Sequence, residues 1–179
     1  MITQHKRRIG ITYAEGEAIQ PTNLGRQEIE DYAGKVIEAT KLEPGTDLKE
    51  LIKQLGGQCD VQTFGGWQAE TGSVFVHGAK DFDVLLPDFT SPLRDQFTMG
   101  HELGHYFLHS QMGKFPLVAN RFGSGRVEWE ANAFAAALLM PKQKFIAEWN
   151  SCGNLLRVAA MFFVSTDAAR VRKEVLIGK

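Results

Sequence analysis

The stretch Gln96–His109, "QFTMGHELGHYFLH", decides how this chain is read. It holds three of the five histidines, at four-residue intervals, and a glutamate directly follows the first. On a helix, His101 and His105 are separated by one turn plus about 40°, so both imidazoles leave one face. Two nitrogens so placed can reach one zinc ion at about 2.0–2.1 Å. Glu102 sits beside His101, within reach of a water at the metal's open position, as a general base requires. The pattern HExxH therefore predicts a hydrolytic zinc site with His101 and His105 as ligands and Glu102 as the catalytic carboxylate.

Local signals support a helix there. Ser91-Pro92 reads as an N-cap followed by proline at the first helical position, where the missing N–H costs nothing. The helix is expected from about Pro92 to Ser110. Gly100 and Gly104 share one flank; each costs about 1 kcal/mol relative to alanine, which a close neighbouring backbone would offset.

Catalytic zinc needs a third protein ligand. His109 continues the series, but it lies about 12 Å from His101 along an unbroken helix. It is expected to sit at the helix end or to support a ligand. "RVEWEANAFAAALLMP", Arg126–Pro141, offers Glu128 and Glu130, which are about 200° apart on a helix, so only one can face the metal. Glu130 shares its face with Phe134, Ala137 and Leu138, and a buried carboxylate needs a partner. Glu130 is therefore the expected third ligand, with Glu128 toward solvent. The alanines of this helix, about Val127–Met140, suit close packing on the motif helix.

Around these two helices the chain reads as α+β. Residues 22–40 and a segment capped by Asp47 form helices, the second stopped by Gly56-Gly57. Residues 59–64, 72–78 and 81–87 are strand candidates, punctuated by Gly65-Gly66 and Gly78. Residues 142–179 read as three short helices, preceded by a loop holding Pro116, Gly123 and Gly125. Residues 1–150 form the expected domain; 151–179 form a helical segment packed on it. With 12 Phe and 3 Trp the chain can furnish a core, and its net charge of −1 gives no reason to expect nucleic acid or membrane as a partner. The basic run His5–Arg8 is expected to be a solvated tail. No stretch approaches bilayer-spanning length, and no N-terminal signal pattern is present. Cys59 and Cys152 are too few for a disulfide framework, so a reducing, cytoplasmic setting is expected.

"FTMGHELGHYFLH" followed by "EWEANAFAAALLMP" resembles the ImmA/IrrE family of zinc metallopeptidases, over roughly residues 25–150. The resemblance implies a zincin-like fold, a small antiparallel sheet packed on the motif helix with a second helix supplying a glutamate. It implies Zn2+ held by His101, His105 and Glu130, with Glu102 catalytic. It further implies an intracellular protein of bacterial or phage type, cleaving or inactivating a helix-turn-helix repressor. The family pattern has a basic residue before "FT"; here Gln96 stands there.

The working expectation is a zinc endopeptidase with a DNA-binding repressor as substrate, held extended beside an edge strand such as 72–78. The sequence does not name the oxyanion donor; Tyr106, one turn from Glu102, is no more than a guess. The alternative is a non-catalytic regulator, an antirepressor or toxin–antitoxin component acting by protein or DNA binding. Residues 155–179 carry five Lys/Arg against two acids and have helix-turn-helix shape, although Phe163 occupies the turn where glycine is expected. Helical packing is favoured over DNA reading.

Overall fold

The computed structural model describes residues 6–62, 73–120 and 125–178. Thr63, Phe64, Gly65, Gly66, Gly72 and Gly123, like His5, lie outside the described residues. In chain order the elements are β1 (Ala14–Glu15), α1 (Arg26–Thr40), α2 (Leu48–Gln54), β2 (Gly57–Gln62), β3 (Ser73–Gly78) and β4 (Asp81–Pro87). Then come α3 (Pro92–Gly104), a π-helical turn (His105–His109), β5 (Leu117–Asn120), α4 (Arg126–Leu139), α5 (Lys142–Cys152), α6 (Leu155–Met161) and α7 (Thr166–Leu176). The architecture is α+β, and α3 starts as its sequence predicts: Ser91 accepts from the Arg94 amide and Pro92 opens the helix.

The sheet order is β1-β5-β3-β4-β2. It is mixed rather than purely antiparallel, because β2 runs parallel to β4 and β1 parallel to β5. β3 lies between β4 and β5 and has no free edge, so an extended substrate cannot pair beside it as expected. The outer strands are β1 and β2. β5 falls in the expected loop; its four residues are too few for a periodic signal.

Side chains alternate across the sheet with period two. Val74, Val76, Phe82, Val84, Leu86, Leu117 and Ala119 join the main core with the helices, while Phe75, Leu85 and Val118 pack on the opposite face with Tyr13. That second face is where Lys6, Arg7 and Arg8 of the basic run go. Lys6 pairs with Asp60 and Asp83, Arg7 with Glu15, and Arg8 with Asp81. The segment is tied to the sheet, not solvated as a free tail.

The C-terminal helices share the main core through Val158, Ala159, Phe162, Val164 and Ala169. Arg172, expected on a basic helix face, is instead buried at 2 % exposure. It forms a bidentate pair with Glu30 of α1 and donates to the Met140 carbonyl at 2.8 and 3.0 Å. Phe163, where glycine was expected, has φ +52°. The turn therefore keeps its left-handed residue at the cost of strain.

Candidate metal centre

α3 and α4 meet along a seam of small residues. A Cβ on Gly104 would lie 2.9 Å from Ala131 Cα and 3.0 Å from its carbonyl oxygen; one on Gly100 would lie 3.3 Å from Ala135 Cβ. The two glycines thus allow the close approach expected of them. The seam also fixes which face of α4 looks at α3. Ala131 and Ala135 line it, and Glu128 and Asn132 fall on the same side at i, i+3/i+4 and i+7 spacing.

The geometry brings Glu128, rather than the expected Glu130, to the two histidines. Glu128 Oε2 lies 3.1 Å from His101 Nε2, and its Oε1 lies 3.5 Å from His105 Nε2. The two Nε2 atoms are 3.1 Å apart. Glu130 was assigned by its buried neighbours Phe134, Ala137 and Leu138, but that face looks into the core beside the seam. Its burial is real, at 0 % exposure, and its partners are protein groups. Glu130 Oε2 accepts from the Thr22 amide and hydroxyl, both at 2.9 Å, and lies 3.1 Å from His109 Nε2; Oε1 accepts from Arg126 Nε at 2.9 Å. Burial pushes this carboxyl up, but the Thr22 and Arg126 donors with His109 outweigh it and hold it below its ordinary value.

The motif helix also departs from a continuous α-helix. From His105 it widens to i→i+5 bonding, with the Ser110 amide donating to the His105 carbonyl at 2.9 Å. A wider turn brings residues four apart closer to one line, and such bulges recur at functional sites. His109 Nδ1 thereby comes to 3.1 Å from His105 Nδ1. Burial holds the His109 imidazole below its usual value, against the opposing pull of Glu130. On the other ligand candidate, His101 Nδ1 lies 3.0 Å from Asn132 Oδ1.

Do these residues fit a zinc ion? Tetrahedral bonds of about 2.0–2.1 Å imply donor–donor edges of roughly 3.3 Å. The Nε2–Nε2 separation and the approach of one Glu128 oxygen to each ring are close to such edges, and one ligand atom from each of the three residues lies within 4.8 Å of the others. The donor set, two imidazoles and a carboxylate, is one that catalytic zinc uses. Glu102 is 1 % exposed and follows His101 directly; Glu128 keeps 16 % side-chain exposure, so the group meets solvent on its side.

Two other expectations resolve differently. Tyr106 stacks on Phe82 with centroids 4.2 Å apart, and its hydroxyl accepts from the Lys80 amide at 3.4 Å. It faces the sheet, which removes the reason to name it as oxyanion donor. Gln96 is buried, accepting from the Leu48 amide at 3.1 Å and donating to the Thr46 carbonyl at 2.6 Å. It ties α3 to the start of α2, a task its two-sided amide performs and a purely donating basic side chain could not.

A cavity of about 750 Å3 shares Asn132, the partner of His101, with the site and is walled by Phe97, Trp129, Ala133, Met140 and Val171; His101, Glu102, His105 and Glu128 do not line it. Nothing in the linear sequence marked it, because its walls come from four separate helices, α1, α3, α4 and α7.

Comparison with known proteins agrees with this architecture. The model of the IrrE N-terminal-like domain, Peptidase M78, matches residues 74–174. Metallopeptidase ImmA of Bacillus subtilis (strain 168) is 30% identical over 86 residues, which is 46% of this chain and 51% of that protein. A solved Mycobacterium tuberculosis transcriptional regulator superposes with a TM-score of 0.60 at 14% identity, covering 83% of this chain and 46% of the other. The chain thus matches about half the length of each. With the family model spanning more than half of the chain, and both the helix pair and its histidine motif inside the matched region, this protein belongs to the ImmA/IrrE family, the IrrE N-terminal-like domain group.

Proposed function

We propose that the chain is a zinc-dependent endopeptidase in which His101, His105 and Glu128 hold the metal and Glu102 is the catalytic carboxylate. The observation that carries this reading is the convergence of His101, His105 and Glu128, one ligand atom from each lying within 4.8 Å of the others, with Glu102 next to His101 in the chain. A bound zinc ion would supply Lewis acidity, making water easier to deprotonate and a peptide carbonyl easier to attack. Glu102 takes the proton of the attacking water and returns it to the departing amine. Asn132 orients His101, and the seam of Gly100, Gly104, Ala131 and Ala135 sets the spacing of the two helices. The adjoining cavity suits a bulky apolar side chain of the peptide, with Arg26 and Arg94 at its lining favouring a neighbouring acidic group.

The substrate class is an intracellular protein, a helix-turn-helix repressor by the family resemblance, met in the cytoplasm. Among the described residues no helix is long and apolar enough to cross a membrane. The burial of Arg172 speaks for a packing role of α7, since that cation cannot reach a phosphate without breaking its pair with Glu30.

The test is Glu102→Gln in the full chain. Zinc content should be unchanged while cleavage of the repressor falls by about 10³-fold or more, in line with loss of an acid–base group. Derepression that survives this substitution with zinc still bound would make the protein a non-catalytic regulator.

A further inference from the structure

A polar chain runs inward from the site: His105 Nδ1 to His109 Nδ1 at 3.1 Å, then His109 Nε2 to Glu130 Oε2 at 3.1 Å. Glu130 is held in turn by Thr22, from the segment before α1, and by Arg126, from the first turn of α4. Both side chains in the middle, His109 and Glu130, are fully buried.

The donors and acceptors leave little choice of proton placement for neutral rings. An ionised carboxylate only accepts, so His109 Nε2 must carry hydrogen. A neutral His109 then has a bare Nδ1, which accepts from His105 Nδ1–H. His105 Nε2 is left as a lone pair, directed toward the position shared with His101 Nε2 and Glu128. Asn132 does the same for His101 when its carbonyl accepts from Nδ1–H. Two lone pairs 3.1 Å apart beside a carboxylate repel unless a cation lies among them.

We propose that His109 and Glu130 are positioning residues, fixing the Nδ1–H tautomer and ring orientation of His105 so that its Nε2 is presented to a metal ion. Thr22 and Arg126 anchor the far end, so the position of His105 depends on three separate parts of the chain. This inference rests on the metal-site reading above, and it assigns Glu130 a different task from ligation.

The experiment is metal binding by the full chain after removal of metal by chelator, using Co2+ absorption and Zn2+ competition. Wild type should bind one equivalent. His109→Leu and Glu130→Gln should each weaken zinc binding by about 10–100-fold, the usual effect of losing a group that orients a ligand. His109→Asn, whose carbonyl oxygen can replace Nδ1 as acceptor from His105, should recover most of the loss. Wild-type-like affinity in both His109→Leu and Glu130→Gln would overturn the proposal. So would a loss in His109→Leu that His109→Asn leaves uncorrected, since that would make His109 a packing residue only.

A readout on the metal-free wild type keeps the idea testable if a variant fails to fold. Imidazole nitrogen shifts should report His105 protonated at Nδ1 and bare at Nε2; the opposite tautomer would overturn the relay. Wild type that takes up no metal would sink the site reading, whereas normal uptake with the wrong tautomer would sink only the relay.

Discussion

Glu128 and Glu130 show how far a single residue can be read from its neighbours in sequence. Their opposition on the helix was legible, and so was the need of a buried Glu130 for a partner. What the sequence did not display was the direction of α3. The buried face of α4 is wider than the strip that meets the motif helix, so burial alone could not choose between them. The same limit applies to Cys59, whose expected burial as a free thiol does not say what it touches. In the fold it is half-buried, its Sγ 3.9 Å from Met99 Sδ, and burial pushes its pKa up to about 11. Two consequences follow from the sign of that shift. The thiolate fraction at pH 8 is about 0.1%, so iodoacetamide should label Cys59 far more slowly than it labels a small-molecule thiol, until the protein is unfolded. And because the unfolded thiol ionises near 9.0 while the folded one holds its proton, stability falls as pH rises from about 9 toward about 11. A Cys59→Ser variant should show a shallower decline in urea midpoint across that window; an identical decline would remove Cys59 as its cause.

At the scale of elements, the α3–α4 seam is the part that positions the chemistry. Gly100 and Gly104 are equally unfavourable for helix propensity, yet they face different obstacles. A methyl at 104 meets backbone atoms of Ala131 at 2.9–3.0 Å, which can give way only if a helix moves. A methyl at 100 meets side-chain carbons of Ala135 and Leu139 at 3.3 Å, and the leucine can turn aside. Gly104→Ala should therefore destabilise by about 1–3 kcal/mol, as overpacking does, and weaken metal binding by spreading Glu128 from the histidines. Gly100→Ala should be within about 1 kcal/mol of wild type, because gained propensity offsets the contact. Urea unfolding and zinc titration of both variants would check the order, and a reversed order would contradict the seam. The limits of both helices were readable, because Ser91-Pro92 and Pro141 are strong local signals. The π-turn at His105–His109 was not, since nothing in "HYFLH" distinguishes i→i+5 from i→i+4 bonding. The parallel pairings of β1 and β2 were unreadable for a related reason, as pairing partners far apart in sequence leave no periodic trace in either strand.

For the whole molecule, the α+β class and the order of the later helices follow from periodicity and punctuation, and the family resemblance carried the zincin-like expectation. Long-range ties were invisible in the sequence. Arg172 is the main one, joining α7 to α1 through Glu30 and to the end of α4 through the Met140 carbonyl. A charge run in a terminal helix reads as solvated until a carboxylate from 142 residues earlier is brought against it. Arg172→Met should lower stability by about 3 kcal/mol, leaving Glu30 and a carbonyl without their partner; chemical denaturation would measure it, and a change under 1 kcal/mol would show the pair to be dispensable. The central proposal is a cation held among His101, His105 and Glu128, and one measurement addresses it most directly. Anomalous diffraction at the zinc edge from crystals of the zinc-loaded full chain should place one ion about 2.0–2.1 Å from His101 Nε2, His105 Nε2 and a Glu128 oxygen, with Glu130 still on His109 and Thr22. An ion bound by Glu130 in place of Glu128, or no anomalous peak between the two histidines, would contradict it.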